Sequence, residues 1–209
     1  MHPLLALLLL LSLAGAEGLN VVIAGGTGRL GQMVASGLSS HDVTILCRNR
    51  FLASATNRVT GAFGWVGSSF LEANPHVMLR DWDGGDLLDI VGCDWVGWQE
   101  DVLTNADVVV NLVGGYTHQR LMATERIVQE SNVVNPSVLQ ITVSPLEEDI
   151  PALTPGAQKV KIQRLRDCED AVRDNCRNHL CLRLEAFKLK ESCQTIVDAV
   201  ENAPSSSSS

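Results

Sequence analysis

Tyrosine is almost absent from this chain: Tyr116 is the single phenol among 209 residues, and aromatic residues together make up 4%. Acid–base chemistry that depends on a phenol therefore has one candidate. No Cys-x-x-Cys occurs and the histidines do not cluster with cysteines, so the pattern contains no zinc site. No run of Lys or Arg stands out against a formal net charge of −8. That balance argues against a nucleic-acid partner, because phosphate backbones call for concentrated positive charge. An Asn-x-Ser/Thr acceptor is also missing, since Asn135-Pro136-Ser137 has proline in the middle. Glycosylation thus lends no support to export.

What is present is an ordinary globular composition, 45% hydrophobic and 19% charged, at a length suited to one α/β domain. Residues 1–16, MHPLLALLLLLSLAGA, form a leucine-rich block whose Ala14-Gly15-Ala16 end resembles a cleavage site. As a helix its apolar part would be about 21 Å long, short of the roughly 30 Å hydrocarbon core. The block reads as a secretory signal peptide, leaving no transmembrane span after cleavage. It directs the chain to the secretory pathway, either the endoplasmic reticulum lumen or the exterior. Residues 17–203 read as the folded domain and 204–209 as a disordered Ser tail. Of the six cysteines, Cys47 and Cys181 fall within apparent strands as small apolar residues, Cys93 lies in a loop, and Cys168, Cys176 and Cys193 leave room for one bridge.

The densest signal is residues 19–31, LNVVIAGGTGRLG. A β-type run, residues 21–24, breaks into Gly25-Gly26-Thr27-Gly28-Arg29-Leu30-Gly31 and then into helical periodicity at Met33, Val34 and Leu38. Gly25 permits a sharp turn, Gly28 leaves the backbone open to a pyrophosphate, and Gly31 allows close helix packing. The helix start offers free N–H groups and a positive dipole end. This spacing points to a dinucleotide site.

Further strands are expected at 42–47, 76–80, 107–113, 138–143 and 179–187. Helices are expected at 118–131, 156–175 and 191–202, with an irregular segment at 48–75. Val160, Leu165, Cys168 and Val172 are spaced for one buried face of the second of these helices. Six strands alternating with helices imply one α/β domain, a doubly wound parallel sheet of Rossmann type with helices on both faces. At the end of the second strand, where a carboxylate would bind a ribose 2′-hydroxyl, stand Arg48 and Arg50. Together with Arg29 they favour the 2′-phosphate of NADP, NAD being the lesser alternative. One charge-assisted Arg–phosphate contact is worth roughly 1.5–3 kcal/mol.

The glycine pattern, Gly85-Asp86-Leu87 and Asn111-Leu112-Val113-Gly114-Gly115 together resemble the short-chain dehydrogenase/reductase superfamily, nearest its extended epimerase-like and atypical NmrA-like branches, over about residues 19–187. Interior runs such as GWVGSSFLEANP also look similar to plant and algal members. The resemblance implies that Asp86, with Asp83 as competitor and Leu87 beside it, meets the adenine. It implies that Asn111, Leu112, Val113 and Gly114 line the nicotinamide ribose, with Thr142 leading to Ser144 at the serine position. It also implies a Tyr-x-x-x-Lys pair, which this chain lacks: four residues before Lys159 is Pro155, and before Lys161 is Ala157. Tyr116, followed by Arg120 in a Tyr-x-x-x-Arg, imitates the pair at a different place in the fold. His118 has no carboxylate partner in sequence and reads as a solvent-facing residue. Only 22 residues follow Phe187, too few for a large substrate region, while Trp82, Trp95 and Trp98 concentrate in one segment, to cap the sheet edge, line a ligand pocket or meet a partner. Two functions follow: an NADP-dependent oxidoreductase acting on a small carbonyl or alcohol, or a non-catalytic NAD(P)-binding module serving a protein partner in assembly or redox sensing. An algal relationship adds a plastid route through the endoplasmic reticulum as the alternative destination.

Overall fold

The computed structural model describes residues 18–61, 64–84, 97–151 and 153–204. Residues 1–17 and 205–209, on which the expected signal peptide and most of the Ser tail fall, and Asp86, Leu87, Cys93 and Trp95 lie outside the described residues.

Six strands build one parallel sheet: β1 (Asn20–Ala24), β2 (Asp42–Cys47), β3 (Val77–Asp81), β4 (Val108–Asn111), β5 (Leu139–Pro145) and β6 (His179–Leu184). Their order across the sheet is β3-β2-β1-β4-β5-β6. The chain starts in the middle, winds outward to β3, then returns to the other side of β1. Ala24, at the end of β1, is in register with Leu46 of β2 and Asn111 of β4. The crevice beyond Ala24 and Asn111 is therefore the point where the winding reverses, the place where open parallel sheets bind ligands.

Alternation along the strands sorts the core into two layers. Val21, Ile23, Ile45, Val108, Val110 and Ile141 face α1 (Arg29–Gly37) and the closing helix at Leu189–Glu201, through Val34, Leu38, Ile196 and Val200. Val22, Ala24, Leu46 and Val109 face the opposite side, where Trp82, Trp98, Leu103, Ala123 and Ile127 cover them. Both faces of the central strands are dry, which accounts for their continuous apolar runs.

The segment expected to be irregular contains α2 (Arg50–Ser54) and α3 (Ser68–Ala73), and a further short helix, α4 (Trp98–Leu103), precedes β4. Asn49 caps α2 by accepting the Leu52 N–H at 2.9 Å, a local bond that periodicity over five residues does not register. β4 stops at Asn111, short of the expected 113, because the Asn111 side chain accepts the Val113 N–H at 3.1 Å and turns the chain. Beyond it run α5 (His118–Val134), α6 (Pro155–Asn175) and α7 (Leu189–Glu201). Leu165, Cys168 and Val172 of α6 are buried as expected, but Val160 is exposed. The first turns of α6 lie against the loop after β5, with Gln158 donating to the Glu147 carbonyl and Lys161 to that of Pro151, and do not cover the sheet there.

Leu38 is fully buried between α1 and the sheet, so Leu38→Ala is expected to cost about 2–5 kcal/mol in urea unfolding. Val160→Ala is expected to stay within about 0.5 kcal/mol under the same conditions.

Candidate functional site

The glycine loop is shaped by close approaches. Gly25 has φ of +77°, and a Cβ there would stand 2.5 Å from the Leu112 carbonyl carbon. A Cβ on Gly31 would stand 2.4 Å from the Gly26 Cα. Side chains at these two positions would force β4 and α1 away from β1. Gly28 differs, since its nearest neighbour would be the Gly25 carbonyl oxygen at 3.4 Å. That side of the loop is open to a ligand. α1 starts just after Gly28 with no side-chain cap and no acid in its first turn, leaving its N–H groups and dipole to an anion.

Two hollows of about 250 Å³ each flank the loop, and both are bordered by Gly25, Val113, Gly114 and Arg120. They form two halves of one cleft. The first half adds Thr27, Leu46, Cys47, Arg48, Trp82 and Gly84. The second adds Gly28, Arg29, Leu30, Ser144, Pro145 and Leu184. Trp82 stands edge-on to Trp98, with ring centroids 5.6 Å apart and planes at 79°. Trp98 is thus a core residue, while Trp82 presents itself to the first half of the cleft.

The arginines after β2 separate. Arg48 lies along Gly84 and lines the first half. Arg50 turns to the outer side of the sheet, where its backbone N–H donates to Asp81 and its Nε is 3.6 Å from the same carboxylate. Arg29, at the first position of α1, is exposed on the second half. Asp83 is buried and accepts Arg126 Nε and Nη2, each at 3.0 Å, which ties the end of β3 to α5. Its carboxylate is among neither set of cleft-lining groups.

Asn111 likewise works inside the protein: its Nδ2 donates to Thr124 Oγ1 at 2.9 Å while its Oδ1 holds Val113. The cleft wall at that strand end is Leu112, Val113 and Gly114. Ser144 is 2% exposed and lines the second half. Its hydroxyl makes no well-formed hydrogen bond, although it is close enough to Glu169 to favour that carboxylate. Thr142, two residues earlier on the same strand face, is also buried with an unpartnered hydroxyl and does not reach the cleft lining.

Tyr116 is half-buried and outside the groups lining either half. Its carbonyl accepts Arg164 Nη1 at 2.6 Å, and the Lys161 ammonium sits 4.9 Å from the ring centroid. Tyrosine and lysine are therefore brought together from two elements, through the ring face, where a cation meets the negative side of the quadrupole. The contact pins the loop after β4 to α6. His118 is exposed at the start of α5.

Arg120 is the cleft residue that sequence reasoning passed over, noting it only as the fourth residue after Tyr116. It is 6% exposed, donates through Nη2 to the Val143 carbonyl at 2.8 Å and through Nη1 to that of Gly115 at 3.4 Å. Burial pulls its pKa down, with Cys168 the foremost of the groups opposing that effect. No spacing rule distinguishes an inward Arg from a solvated one in the first turn of a helix.

The five described cysteines, Cys47, Cys168, Cys176, Cys181 and Cys193, carry free thiols, so Cys168, Cys176 and Cys193 form no bridge among themselves. Burial raises the Cys176 thiol to about 11, which keeps it protonated and unreactive near neutral pH.

No protein-family profile matches the chain, and no curated protein matches it. Solved structures do. A metagenomic short-chain oxidoreductase in complex with NADP superposes with a TM-score of 0.52 at 15% identity, covering 88% of this chain and 90% of that one. The yeast methylglyoxal/isovaleraldehyde reductase Gre2, complexed with NADPH, gives 0.51 at 14% identity over 78% of this chain and 53% of its own. The negative transcriptional regulator NmrA, in complex with NADP, gives 0.50 at 12% identity over 79% and 44%. The chain spans about half the length of the last two. At these identities the likeness is one of fold: the chain has the parallel Rossmann-type fold seen in short-chain oxidoreductases and in NmrA.

Below the cleft, Arg183 Nη2 lies 2.6 Å from Glu169, itself 2% exposed. Burial pushes the Glu169 acid up, but the hydrogen bonds and charge of Arg183 outweigh it and the net shift is downward. A depressed carboxylate adds stability that is present above its ordinary titration near pH 4.5 and is lost as pH falls through the lower folded value. Glu169→Gln is therefore expected to lower the melting temperature at pH 7 and to differ less from wild type as pH drops below about 4.

Proposed function

We propose that the chain is an NADP-binding protein of the short-chain dehydrogenase/reductase type. The observation that carries this reading is the cleft at the winding reversal, where an open glycine turn joins an uncapped helix start on the second half to Arg48 on the first. Gly25, Gly28 and the α1 N-terminus would hold the diphosphate, Arg48 the 2′-phosphate, Trp82 and Thr27 the adenosine. Leu30, Ser144 and Leu184 would border the nicotinamide. The NADP(H) complexes of the metagenomic oxidoreductase and the yeast reductase support the same cofactor.

When bound, this cofactor supplies hydride chemistry, and a small carbonyl or alcohol is the fitting substrate class. Ser144 would orient a carbonyl oxygen by turning its hydroxyl from Glu169 toward the cleft. Tyr116 is not among the residues lining the cleft and its carbonyl and ring are held by α6, so a proton would come through water or Ser144.

A second reading, a non-catalytic NAD(P)-binding module with a protein partner, is favoured by the same displacement of Tyr116 from the cleft. NmrA illustrates the class, being described as a transcriptional regulator while binding NADP. For localisation, the apolar leader supports delivery to the endoplasmic reticulum, with a plastid reached through it as the alternative; fractionation of a tagged chain separates the two. Among the described residues no helix is long and apolar enough to cross a membrane.

Fluorescence titration is expected to show NADPH binding tighter than NADH by about ten- to a hundredfold, and Arg48→Ala is expected to remove most of that preference. Equal affinities in wild type would overturn the NADP assignment. With NADPH bound, a panel of small carbonyls decides between the readings. Turnover that falls by about tenfold or more in Ser144→Ala supports the oxidoreductase, and binding without turnover across the panel supports the module.

A further inference from the structure

Arg120 is buried where a fold gains little from a cation. It is the third residue of the 17-residue helix α5, at the positive end of that helix's dipole. Among the described residues no carboxylate lies within ion-pair distance of its guanidinium, and the nearby Glu169 is engaged by Arg183. Its backbone acceptors are neutral carbonyls, Gly115 after β4 and Val143 on β5, and the side chain beside it is the Cys168 thiol. Burying an unneutralised charge carries a desolvation penalty that neutral acceptors only partly offset. A strut between two carbonyls needs donors but no charge; a glutamine amide would serve.

The position of the guanidinium is the second observation. Arg120 lines both halves of the cleft, as Gly25 and Gly114 do, and shares the second half with Ser144. Two of its five N–H donors go to these carbonyls and a third faces the Cys168 sulfur, which leaves donors to spare. Ser144 of β5 lines the second half as well, with a buried hydroxyl that lies near Glu169 but makes no well-formed hydrogen bond. A buried cation with spare donors, lining the cleft together with a buried hydroxyl, defines a site for an oxyanion.

We propose that Arg120, together with the Ser144 hydroxyl, is the anion seat of the cleft, binding a phosphate oxygen of the dinucleotide or the carboxylate of an oxo-acid substrate. The seat rests on the NADP-binding reading for the identity of its cofactor, while anion binding itself can be read without it. A guanidinium at this junction would join the two halves electrostatically, meeting either a group that passes between them or one that ends beside Ser144. Its planar fork suits both phosphate and carboxylate.

The test uses the full chain as wild type, Arg120→Gln and Arg120→Lys, with ligand-induced melting shifts measured within each protein so that altered stability cancels. The probes are NADPH, adenosine 2′-monophosphate (which lacks the bridging phosphates), sodium pyrophosphate and sodium oxalate. If the anion is the cofactor's phosphate, Arg120→Gln weakens NADPH about ten- to a hundredfold and abolishes the pyrophosphate shift, while adenosine 2′-monophosphate stays within about threefold. If it is a substrate carboxylate, NADPH affinity is retained and the oxalate shift of the NADPH-loaded wild type disappears in the variant. Should Arg120→Gln fail to fold, Arg120→Lys keeps the charge but loses the fork, and is expected to weaken the same ligand by about fivefold or more. Unchanged responses to all four probes in whichever variant folds would overturn the seat and leave Arg120 a strut. A wild type that ignores NADPH yet shows a pyrophosphate shift lost on substitution would overturn the NADP reading and keep the seat.

Discussion

The close approach of three chain segments at the end of β1 governs the rest of the molecule. Gly25 turns under the Leu112 carbonyl and Gly31 packs on Gly26, at separations that no Cβ tolerates. Those contacts bring β1, β4 and the start of α1 into one corner, so that strand ends and a helix N-terminus open on the same crevice. The two halves of the cleft, the exposure of the Gly28 backbone and the placement of Arg48 all follow from that corner. The apolar strands on either side keep it rigid, since Val22, Ile23 and Ala24 are enclosed on both faces of the sheet.

The two sides of the sheet are unequal in chemistry. The layer under α1 and α7 is dry, but beneath α6 the inward positions of β5 are Gln140, Thr142 and Ser144, each with a side-chain atom that has no partner. Arg120, Cys168 and Glu169 share this region, and the apolar cluster there is confined to Val128, Val172 and Cys176. Such a polar interior is stabilised less per residue than the dry layer, and it lies directly behind the second half of the cleft. The stability that holds it in place comes from the central strands, while the polar groups face the side on which a ligand would be recognised.

Much of the fold was legible in the sequence because its signals are local. Continuous apolar runs announced buried parallel strands, and the shift from β-type to helical spacing at residues 24–31 announced the nucleotide turn. The boundaries that moved were set by single side chains: Asn111 ended β4 early by capping Val113, and Asn49 started a helix in a segment with no periodicity to reveal it. The candidate site was legible only in part. Arg48 and Arg50 are equivalent as letters, yet one lies in the cleft and the other pairs with Asp81 across the sheet edge. Asp83 was a candidate for adenine and is instead held by Arg126 from α5. Each of these outcomes depends on a partner far away in the chain.

The sequence by itself determined the parallel α/β architecture, the place of the glycine turn and the absence of a Tyr-x-x-x-Lys pair, because each is carried by spacing between near neighbours. Only the tertiary structure decided which charges face the cleft. It set Tyr116 against Lys161, outside the cleft lining, turned Arg50 outward and buried Arg120 where it lines both halves. The reason is physical: a side chain's direction depends on which distant carbonyls and carboxylates the sheet order brings beside it, and sequence spacing carries no record of them.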